Sequence, residues 1–406
     1  MTKLDQIFSD RITDVPRSFI REILKVALDP TVISFAGGLP NRDLFPVAAL
    51  KEATCKVFDA HGRDVLQYAS SEGHAGLREY ISKRYREKDL DISVDDILIT
   101  NGSQQGLDLL GKTLLNDSDA VVIEEPGYLG AIQAFSLYRP KFIPVPVSQE
   151  GMDPVALGKA LSTCRPKLMY TVPNFQNPSG ITYSEQNRLD LARTLERTDT
   201  FLIEDDPYGD LRFTGRARTS FKELLPRNTI LLGSFSKSLV PGFRLGWIVA
   251  SPMLMHKLIT AKQATDLHTS HFTQSIVFQY LCDNDADEHI RMIRDVYGRQ
   301  CQAMQNSIQR YFPSEISYTK PEGGMFLWAE LPRHMAAMDL FELAVKDKVV
   351  FVPGDPFYVR GNRQRTLRLN FSCADAETID VGIGRLGKTI RKIMEKPAEQ
   401  CNSAEN

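Results

Sequence analysis

The strongest potential for chemistry lies in one polar stretch between two apolar runs. Ser234, Ser236 and Lys237 follow the apolar residues 230–232, and Arg244 comes seven positions after the lysine. The apolar runs on both sides predict a turn between two buried strands. Hydroxyls and a guanidinium suit a phosphate group, and a lysine in a sheltered turn can form a Schiff base. The spacing therefore indicates a phosphate site beside a reactive amine, with an ordinary basic connection as the alternative.

Four further polar or aromatic residues follow apolar runs that alternate with helical patterns. They are Tyr128, Asn177, Asp205 and Tyr208. The alternation predicts an α/β fold, with a mostly parallel sheet, helices on both faces and a smaller α+β domain at the C-terminal end. Because ligands of such sheets bind at the carboxyl ends of the strands, we expect these residues and Lys237 to lie together. Three of them also have a structural interpretation: Asp205 as a turn cap, Asn177 as a plain turn, and Tyr128 as core.

Three other segments carry weaker indications of binding. Ser103 and Gln104 begin a predicted helix whose free N–H groups attract anions, although such residues are common at helix starts. Gly38 lies in a Gly-Gly turn, where the backbone can approach another group closely. Tyr68 lies in a polar loop, where a packed surface aromatic is the ordinary interpretation.

The composition argues against several classes of function. The 406 residues are 42% hydrophobic and 25% charged, with a formal net charge of −2, so no basic bias favours nucleic acid. No apolar run is long enough to span a bilayer. The six cysteines form no Cys-x-x-Cys pair and the seven histidines lack metal-ligand spacing, so we expect free thiols and no metal. The first residues lack the apolar core of a signal peptide, which favours a cytoplasmic location.

Three regions are expected along the chain. Residues 1–45 are predicted to form an N-terminal arm and part of a small domain, and residues 46–286 the large domain that holds the site. Residues 287–406 are predicted to form a spacer helix and the small C-terminal domain. The last boundary follows from the long helical pattern that begins near residue 287.

Taken together, five segments resemble the class I/II aminotransferases, which are fold-type-I enzymes that depend on pyridoxal 5'-phosphate (PLP). The segments follow that family's order and are most similar to its branch of 2-aminoadipate and kynurenine/aminoadipate aminotransferases. They are Ala-Gly-Gly-Leu-Pro at 36–40, Gly-Ser-Gln-Gln-Gly at 102–106, Asn-Pro-Ser-Gly at 177–180, Glu-Asp-Asp-Pro-Tyr at 204–208 and Ser-Phe-Ser-Lys at 234–237. The resemblance implies a fold-type-I architecture with a seven-stranded sheet, and PLP bound by the large domain.

The resemblance also implies roles around the cofactor. Lys237 would carry PLP as a covalent aldimine, and Asp205 would partner the ring nitrogen. Tyr208 and Asn177 would reach the phenolic oxygen, and Tyr128 would stack on the ring. The implied catalytic residues are Lys237, Asp205 and Tyr208. The residues implied at the phosphate are Ser103, Gln104, Ser234, Ser236, Arg244 and, from the neighbouring subunit, Tyr68.

A substrate site and a reaction are implied in the same way. Arg368 would bind the substrate α-carboxylate in a bidentate pair, helped by Asn177 and Gly38, and Arg21 would meet a distal carboxylate. The reaction would be a ping-pong transfer of an amino group between an amino acid and a 2-oxo acid. Glutamate or 2-aminoadipate is the expected donor, with aromatic amino acids as the alternative. The expected assembly is a homodimer with composite active sites, without nucleic acid or membrane.

Two rival functions stay open on the residues alone. A β-lyase or decarboxylase on the same fold would share these motifs, because the outcome depends on which Cα bond lies perpendicular to the cofactor ring. A regulatory module with an aminotransferase-like domain would need a DNA-binding domain. The roughly 33 residues before Ile33 are too few for such a domain and carry no basic patch.

Overall fold

The computed structural model describes residues 7–13, 15, 23, 29–360 and 364–395. The strands are, in chain order, β1 (Ile33–Ser34), β2 (Ile97–Thr100), β3 (Ala120–Glu125), β4 (Lys141–Ser148), β5 (Gly151–Met152), β6 (Leu168–Thr171), β7 (Phe201–Asp205), β8 (Thr229–Ser234), β9 (Gly246–Val249), β10 (Ser317–Tyr318), β11 (Phe326–Glu330), β12 (Val349–Val350), β13 (Val352–Pro353) and β14 (Thr366–Asn370). The α-helices are α1 (Asp10–Thr13), α2 (Val47–His61), α3 (Ala75–Arg86), α4 (Gly102–Leu114), α5 (Leu129–Ser136), α6 (Pro154–Cys164), α7 (Glu185–Leu195), α8 (Phe221–Leu224), α9 (Pro252–Asp266), α10 (His271–Asp283), α11 (Ala286–Tyr311), α12 (Ala337–Lys346) and α13 (Ala376–Met394).

The large sheet has a parallel centre and antiparallel edges. Its strand order is β2-β9-β8-β7-β6-β3-β4-β5. The pairs from β8 through β7, β6 and β3 to β4 are parallel, whereas β9 runs antiparallel to both β2 and β8. The predicted, mostly parallel sheet is therefore confirmed. Its eighth strand, β5, is a two-residue edge strand that pairs only with β4 among the described strands.

Both faces of this sheet are covered. Alternate residues of β3 pack into different cores: Val121 and Ile123 join one hydrophobic cluster, and Val122 joins another. The first cluster contains residues of α4 and α5, and the second contains residues of α6 and α7. The central strands are buried on both sides, which is why they appear in the sequence as continuous apolar runs.

The smaller domain is built on an antiparallel sheet of order β10-β11-β14-β13, with α12 and α13 packed beside it. The 26-residue helix α11 precedes this domain and covers the start of the segment for which a spacer helix is predicted. β1 pairs in parallel with β12, so the segment before residue 46 contacts the C-terminal part of the chain. The predicted division into an arm, a large domain and a small domain, with boundaries at 45 and 286, stays a prediction.

Within the described ranges, no helix combines the length and apolarity that a membrane crossing requires. The same residues contain no group of three or more His, Cys, Asp or Glu side chains that could hold a metal ion. Five cysteines are described and all are free thiols: Cys55, Cys164, Cys282, Cys301 and Cys373.

Candidate active site

Lys237 lies in the turn that joins β8 to β9, as predicted. The two strands are antiparallel, and Ser234 at the end of β8 pairs with Gly246 at the start of β9. The Lys237 side chain is half-buried, and its Nζ donates a hydrogen bond of 2.8 Å to the carbonyl of Gly38. Burial, aided by the positive charge of Arg368, lowers the pKa of Lys237 to about 8. An amine with this pKa is partly neutral near physiological pH and can therefore act as a nucleophile or base.

Asp205 is the last residue of β7 and is only 2% exposed. Its Oδ2 accepts a hydrogen bond of 2.7 Å from the hydroxyl of Tyr170, and its buried Oδ1 has no hydrogen-bond partner among the described residues. Burial raises the pKa of Asp205 to about 7. A buried carboxyl oxygen without a partner indicates a donor that the polypeptide itself does not supply.

Arg368 lies in β14 and is also 2% exposed. Its two terminal nitrogens donate hydrogen bonds of 2.8 Å to Asn177 Oδ1 and to the carbonyl of Ala36. The guanidinium lies 4.4 Å from the ring centre of Phe326 and 5.1 Å from that of Phe357. Burial lowers its pKa to about 10, and no described acidic side chain is among the groups that influence this pKa. This buried cation is therefore suited to bind an external carboxylate.

Hydrogen bonds from Lys237 and from residues in or just after β14 hold segment 36–39 in place. The side chains of Asn370 and Ser372 donate hydrogen bonds to the carbonyls of Gly37 and Leu39, at 2.5 and 2.8 Å. A Cβ atom on Gly38 would lie 3.2 Å from the ring of Phe326 and 4.0 Å from Nη2 of Arg368. The structure thus brings the predicted residues Gly38, Lys237, Arg368 and Asn177 together at one place.

Two predicted tyrosines belong to the same region. The hydroxyl of Tyr208 lies 3.5 Å from Asn177 Nδ2, and its ring packs edge-on against Phe326 with the centroids 5.8 Å apart. Burial raises the pKa of Tyr208 well above its ordinary value. Tyr128 immediately precedes α5, and burial together with the negative charge of Asp205 raises its pKa to about 12. Both phenols therefore stay protonated near neutral pH and can donate hydrogen bonds.

Arg244 and Ser103, two of the predicted phosphate residues, lie at the N-terminus of α4. Gly102 has φ +73°, and a Cβ atom there would lie 2.6 Å from Nη2 of Arg244. A Cβ atom on Gly246 would lie 2.6 Å from the backbone nitrogen of Ser103. Two glycines therefore permit the arginine and the strand end to approach the free N–H groups of the helix, an arrangement that suits an anion.

The remaining phosphate candidates have other contacts. The Ser234 hydroxyl donates to the carbonyl of Leu245 at 3.2 Å and accepts from the backbone N–H of Ser236 at 3.0 Å, which shapes the lysine turn. The Gln104 side chain donates to the carbonyl of Gly130 at 2.8 Å, so its amide holds the start of α5. Ser234 and Gln104 thus have structural contacts in addition to their predicted roles.

Two further predictions concern Tyr68 and Arg21. Tyr68 is 79% exposed, and its ring packs edge-on against His268 at 5.9 Å. A large aromatic ring this exposed is available to a second subunit. Arg21 lies outside the described residues.

Sequence reasoning missed three residues of the site. Tyr170 is hidden within an apolar run, although a hydroxyl in a strand buried on both sides requires a partner. Phe326 and Asn370 lie in the smaller domain, where strand patterns alone do not show which side chains face the large sheet. Their contacts with Arg368 and Gly37 depend on tertiary packing.

Comparison with known proteins agrees with this geometry. Residues 30–386 match the family model described as "Aminotransferase class I and II". Aromatic-amino-acid aminotransferase 1 of Thermococcus litoralis is 40% identical over 399 residues, covering 97% of this chain and 96% of its own. The 2-aminoadipate transaminase of Thermus thermophilus is 40% identical over 385 residues, which cover 94% of this chain and 95% of that relative. A Pyrococcus horikoshii kynurenine aminotransferase was solved in complex with PMP, KYN and KYA. It superimposes on this chain with a TM-score of 0.92 at 39% identity, and the match covers 97% of this chain and 99% of that structure.

The chain therefore belongs to the class I and II aminotransferases. It is a PLP-dependent aminotransferase of fold type I, and both the predicted family and the predicted cofactor are confirmed. The site fits this cofactor on two observations. Asp205 Oδ1 is buried without a partner, and Gly102 and Gly246 let Arg244 and the end of the strand lie close to the N-terminus of α4.

Proposed function

We propose that this aminotransferase moves amino groups between a dicarboxylic amino acid, glutamate or 2-aminoadipate, and a 2-oxo acid. Aromatic amino acids are a second donor class. The observation that carries the proposal is the placement of Arg368 beside Asn177, Gly38 and Lys237, where a substrate carboxylate and a reactive amine would meet. The names of two relatives, an aromatic-amino-acid aminotransferase and a 2-aminoadipate transaminase, support both donor classes.

The roles of the residues follow from their positions. When bound, PLP supplies an aldehyde that takes up amino groups and a ring that withdraws electrons. Lys237 is the amine that carries the cofactor, and once free it moves the proton at the substrate Cα, for which its lowered pKa suits it. Asp205 holds a proton at the ring nitrogen. Arg368 and Asn177 orient the α-carboxylate, and Gly38 offers its backbone to the same group.

Around the cofactor we assign further binding roles. Tyr128 stacks on the ring, and Tyr208 together with Asn177 donates to the phenolic oxygen. The phosphate is held by Ser103 and Gln104 at the start of α4, by Ser234 and Ser236, by Arg244 and by Tyr68 of a second copy. The glycine-lined approach of Arg244 to the helix N-terminus supports this assignment.

The proposed reaction is tested by half-reactions of the purified protein. Each amino acid of a panel is added without an oxo acid, and the absorbance of the bound cofactor is followed while products are analysed. Glutamate or 2-aminoadipate should convert the cofactor to its amine form and release the matching 2-oxo acid in equal amount. Release of ammonia or carbon dioxide with the cofactor regenerated would identify a lyase or a decarboxylase and contradict the proposal.

Arg21→Ala is expected to raise KM for glutamate and 2-aminoadipate about 10- to 100-fold while sparing aromatic donors. This range corresponds to the loss of a hydrogen-bonded charge pair. The role of Arg21 rests on the family resemblance. Steady-state kinetics with both donor classes measure the effect, and Arg11→Ala in the exposed helix α1 is the matched control. Equal losses for both donor classes would assign Arg21 a structural role.

We propose a homodimer in which Tyr68 completes the partner's phosphate site, supported by the exposure of its ring. Co-expression of Lys237→Ala with Tyr68→Ala is expected to restore activity to about a quarter of wild type. Random mixing makes half the dimers mixed, and each mixed dimer has one intact site. Activity is measured on the purified mixture against each parent. If Tyr68 serves its own chain, every site carries a defect and the mixture stays at the average of its parents.

We also propose a cytoplasmic location. The described cysteines are all free thiols, and three of them, Cys55, Cys282 and Cys373, are exposed. Exposed free thiols are typical of a reducing compartment. Neither a nucleic acid nor a membrane is part of the proposed function.

A further inference from the structure

Tyr170 is a buried titratable residue for which the reaction outlined above has no role. In the register of β6 with β7, Tyr170 pairs with Ile203, and Asp205 lies two residues beyond Ile203 on the same face. The tyrosine hydroxyl therefore reaches diagonally across the sheet to Asp205 Oδ2, at 2.7 Å. Its ring is 0% exposed and packs edge-on against Phe135, which fixes its direction.

We propose that Tyr170 is a positioning residue that holds one oxygen of Asp205, so that the other faces the ring nitrogen of the cofactor and the shared proton stays on that nitrogen. This inference rests on the proposed role of Asp205. Tyr170 supplies the one hydrogen bond that the described residues make to this carboxyl side chain, since Oδ1 has no partner there. Without it the carboxyl group could rotate and offer either oxygen.

The same bond controls where the proton lies. Burial raises the pKa of Asp205, and the hydrogen bond from Tyr170 opposes this rise. Loss of the bond makes the carboxylate a stronger base, so a proton shared with the ring nitrogen moves toward the carboxylate. The other titratable groups that influence this carboxyl are Asp206, Glu124, Tyr128 and Tyr208. Both acidic neighbours raise its pKa further, so Tyr170 is the group that lowers it.

The chain contains a matched control. Tyr183 is also 0% exposed, and its hydroxyl donates to a buried carboxylate, Glu124 Oε1, at the same distance of 2.7 Å. Glu124 belongs to the opposite face of the sheet, because its neighbours in β3 alternate between the two cores. It also accepts hydrogen bonds from Thr171, Val172 and Gln176, so three remain when Tyr183 is lost.

The test uses the holoenzyme loaded with PLP labelled with ¹⁵N at the ring nitrogen. The ¹⁵N chemical shift reports protonation of that atom independently of turnover. Tyr170→Phe is expected to move the signal toward that of neutral pyridine and to lower kcat about 10- to 100-fold, as expected for a hydrogen bond to a charged group. Tyr183→Phe is expected to keep the wild-type ¹⁵N shift, whatever its effect on thermal stability.

A second variant replaces Tyr170 with a residue of nearly the same size, so that the test does not depend on the folding of Tyr170→Phe. 3,5-Difluorotyrosine at position 170 has a more acidic hydroxyl, so it should move the ¹⁵N signal toward the fully protonated ring. Wild-type ¹⁵N shifts in both position-170 variants would overturn the inference, and so would an unchanged shift in Asp205→Ala. An absence of amino transfer by wild type, with these ¹⁵N responses present, would instead contradict the proposed function and leave the role of Tyr170 standing.

Discussion

Lys237→Ala is expected to lower kcat for amino transfer by at least about 10⁴-fold. A positioned proton-transfer group alone contributes up to about this factor, and this variant also lacks the amine proposed to carry the cofactor. The half-buried Lys237, with its pKa lowered to about 8, is the described lysine that contacts Gly38 next to Arg368. Turnover is measured with saturating PLP, so that weaker cofactor binding does not imitate the effect.

Covalent labelling provides the control for this result. Borohydride reduction of the wild-type holoenzyme should attach the cofactor to the peptide that contains Lys237, and Lys237→Arg should abolish the label while keeping the positive charge. Lys262→Arg is the matched variant, because Lys262 is a buried lysine whose amine bonds to Asp266, Thr269 and Gln105 rather than to Gly38. A label found on another lysine would contradict the assignment of Lys237.

Asp205→Ala is expected to lower kcat about 10²- to 10³-fold, the effect of removing a group that stabilises charge in the transition state. The affinity for PLP should change much less, because the phosphate residues at α4 and Arg244 are intact. Titration of the apoenzyme with PLP and steady-state kinetics separate the two effects.

The neighbouring carboxyl group is the control for this variant. Asp206 accepts a hydrogen bond of 3.0 Å from Asn174 Nδ2, so it already has a partner within the protein. Asp206→Asn should therefore keep kcat within a few-fold of wild type. If Asp205→Ala turned over like wild type and Asp206→Asn did not, Asp206 would become the candidate partner of the ring nitrogen.

The sequence predicted those parts of the site that depend on chain order. Lys237 and Asn177 follow buried strands and Asp205 ends one, and the carboxyl ends of parallel strands meet at one edge of the sheet. It did not identify Tyr170, because a strand buried on both sides lacks the alternation that distinguishes its two faces. The position of Tyr170 relative to Asp205 depends on the register between two strands about 35 residues apart in sequence, which single-sequence patterns do not determine.

The smaller domain shows a second limit of sequence patterns. Arg368 was identified by resemblance, yet its aromatic neighbours Phe326 and Phe357 come from separate segments whose packing is set only in the folded chain. Gln104 was predicted from a helix start, which fixes its backbone but not the direction of its side chain toward Gly130. Element type follows from local pattern, whereas side-chain partners follow from tertiary contacts.

The hydrogen bonds that hold segment 36–39 against β14 have a consequence for biosynthesis. The hydrogen bonds from Arg368 to Ala36 and from Asn370 to Gly37 join residues 332 and 333 positions apart. A ribosome completes residue 36 long before residue 368, so these hydrogen bonds cannot form until β14 has been made. The large sheet can therefore form on the nascent chain while the substrate pocket cannot. A nascent polypeptide that stops before residue 368 is thus without a completed carboxylate site, and competence for catalysis arises only after β14 has been synthesised.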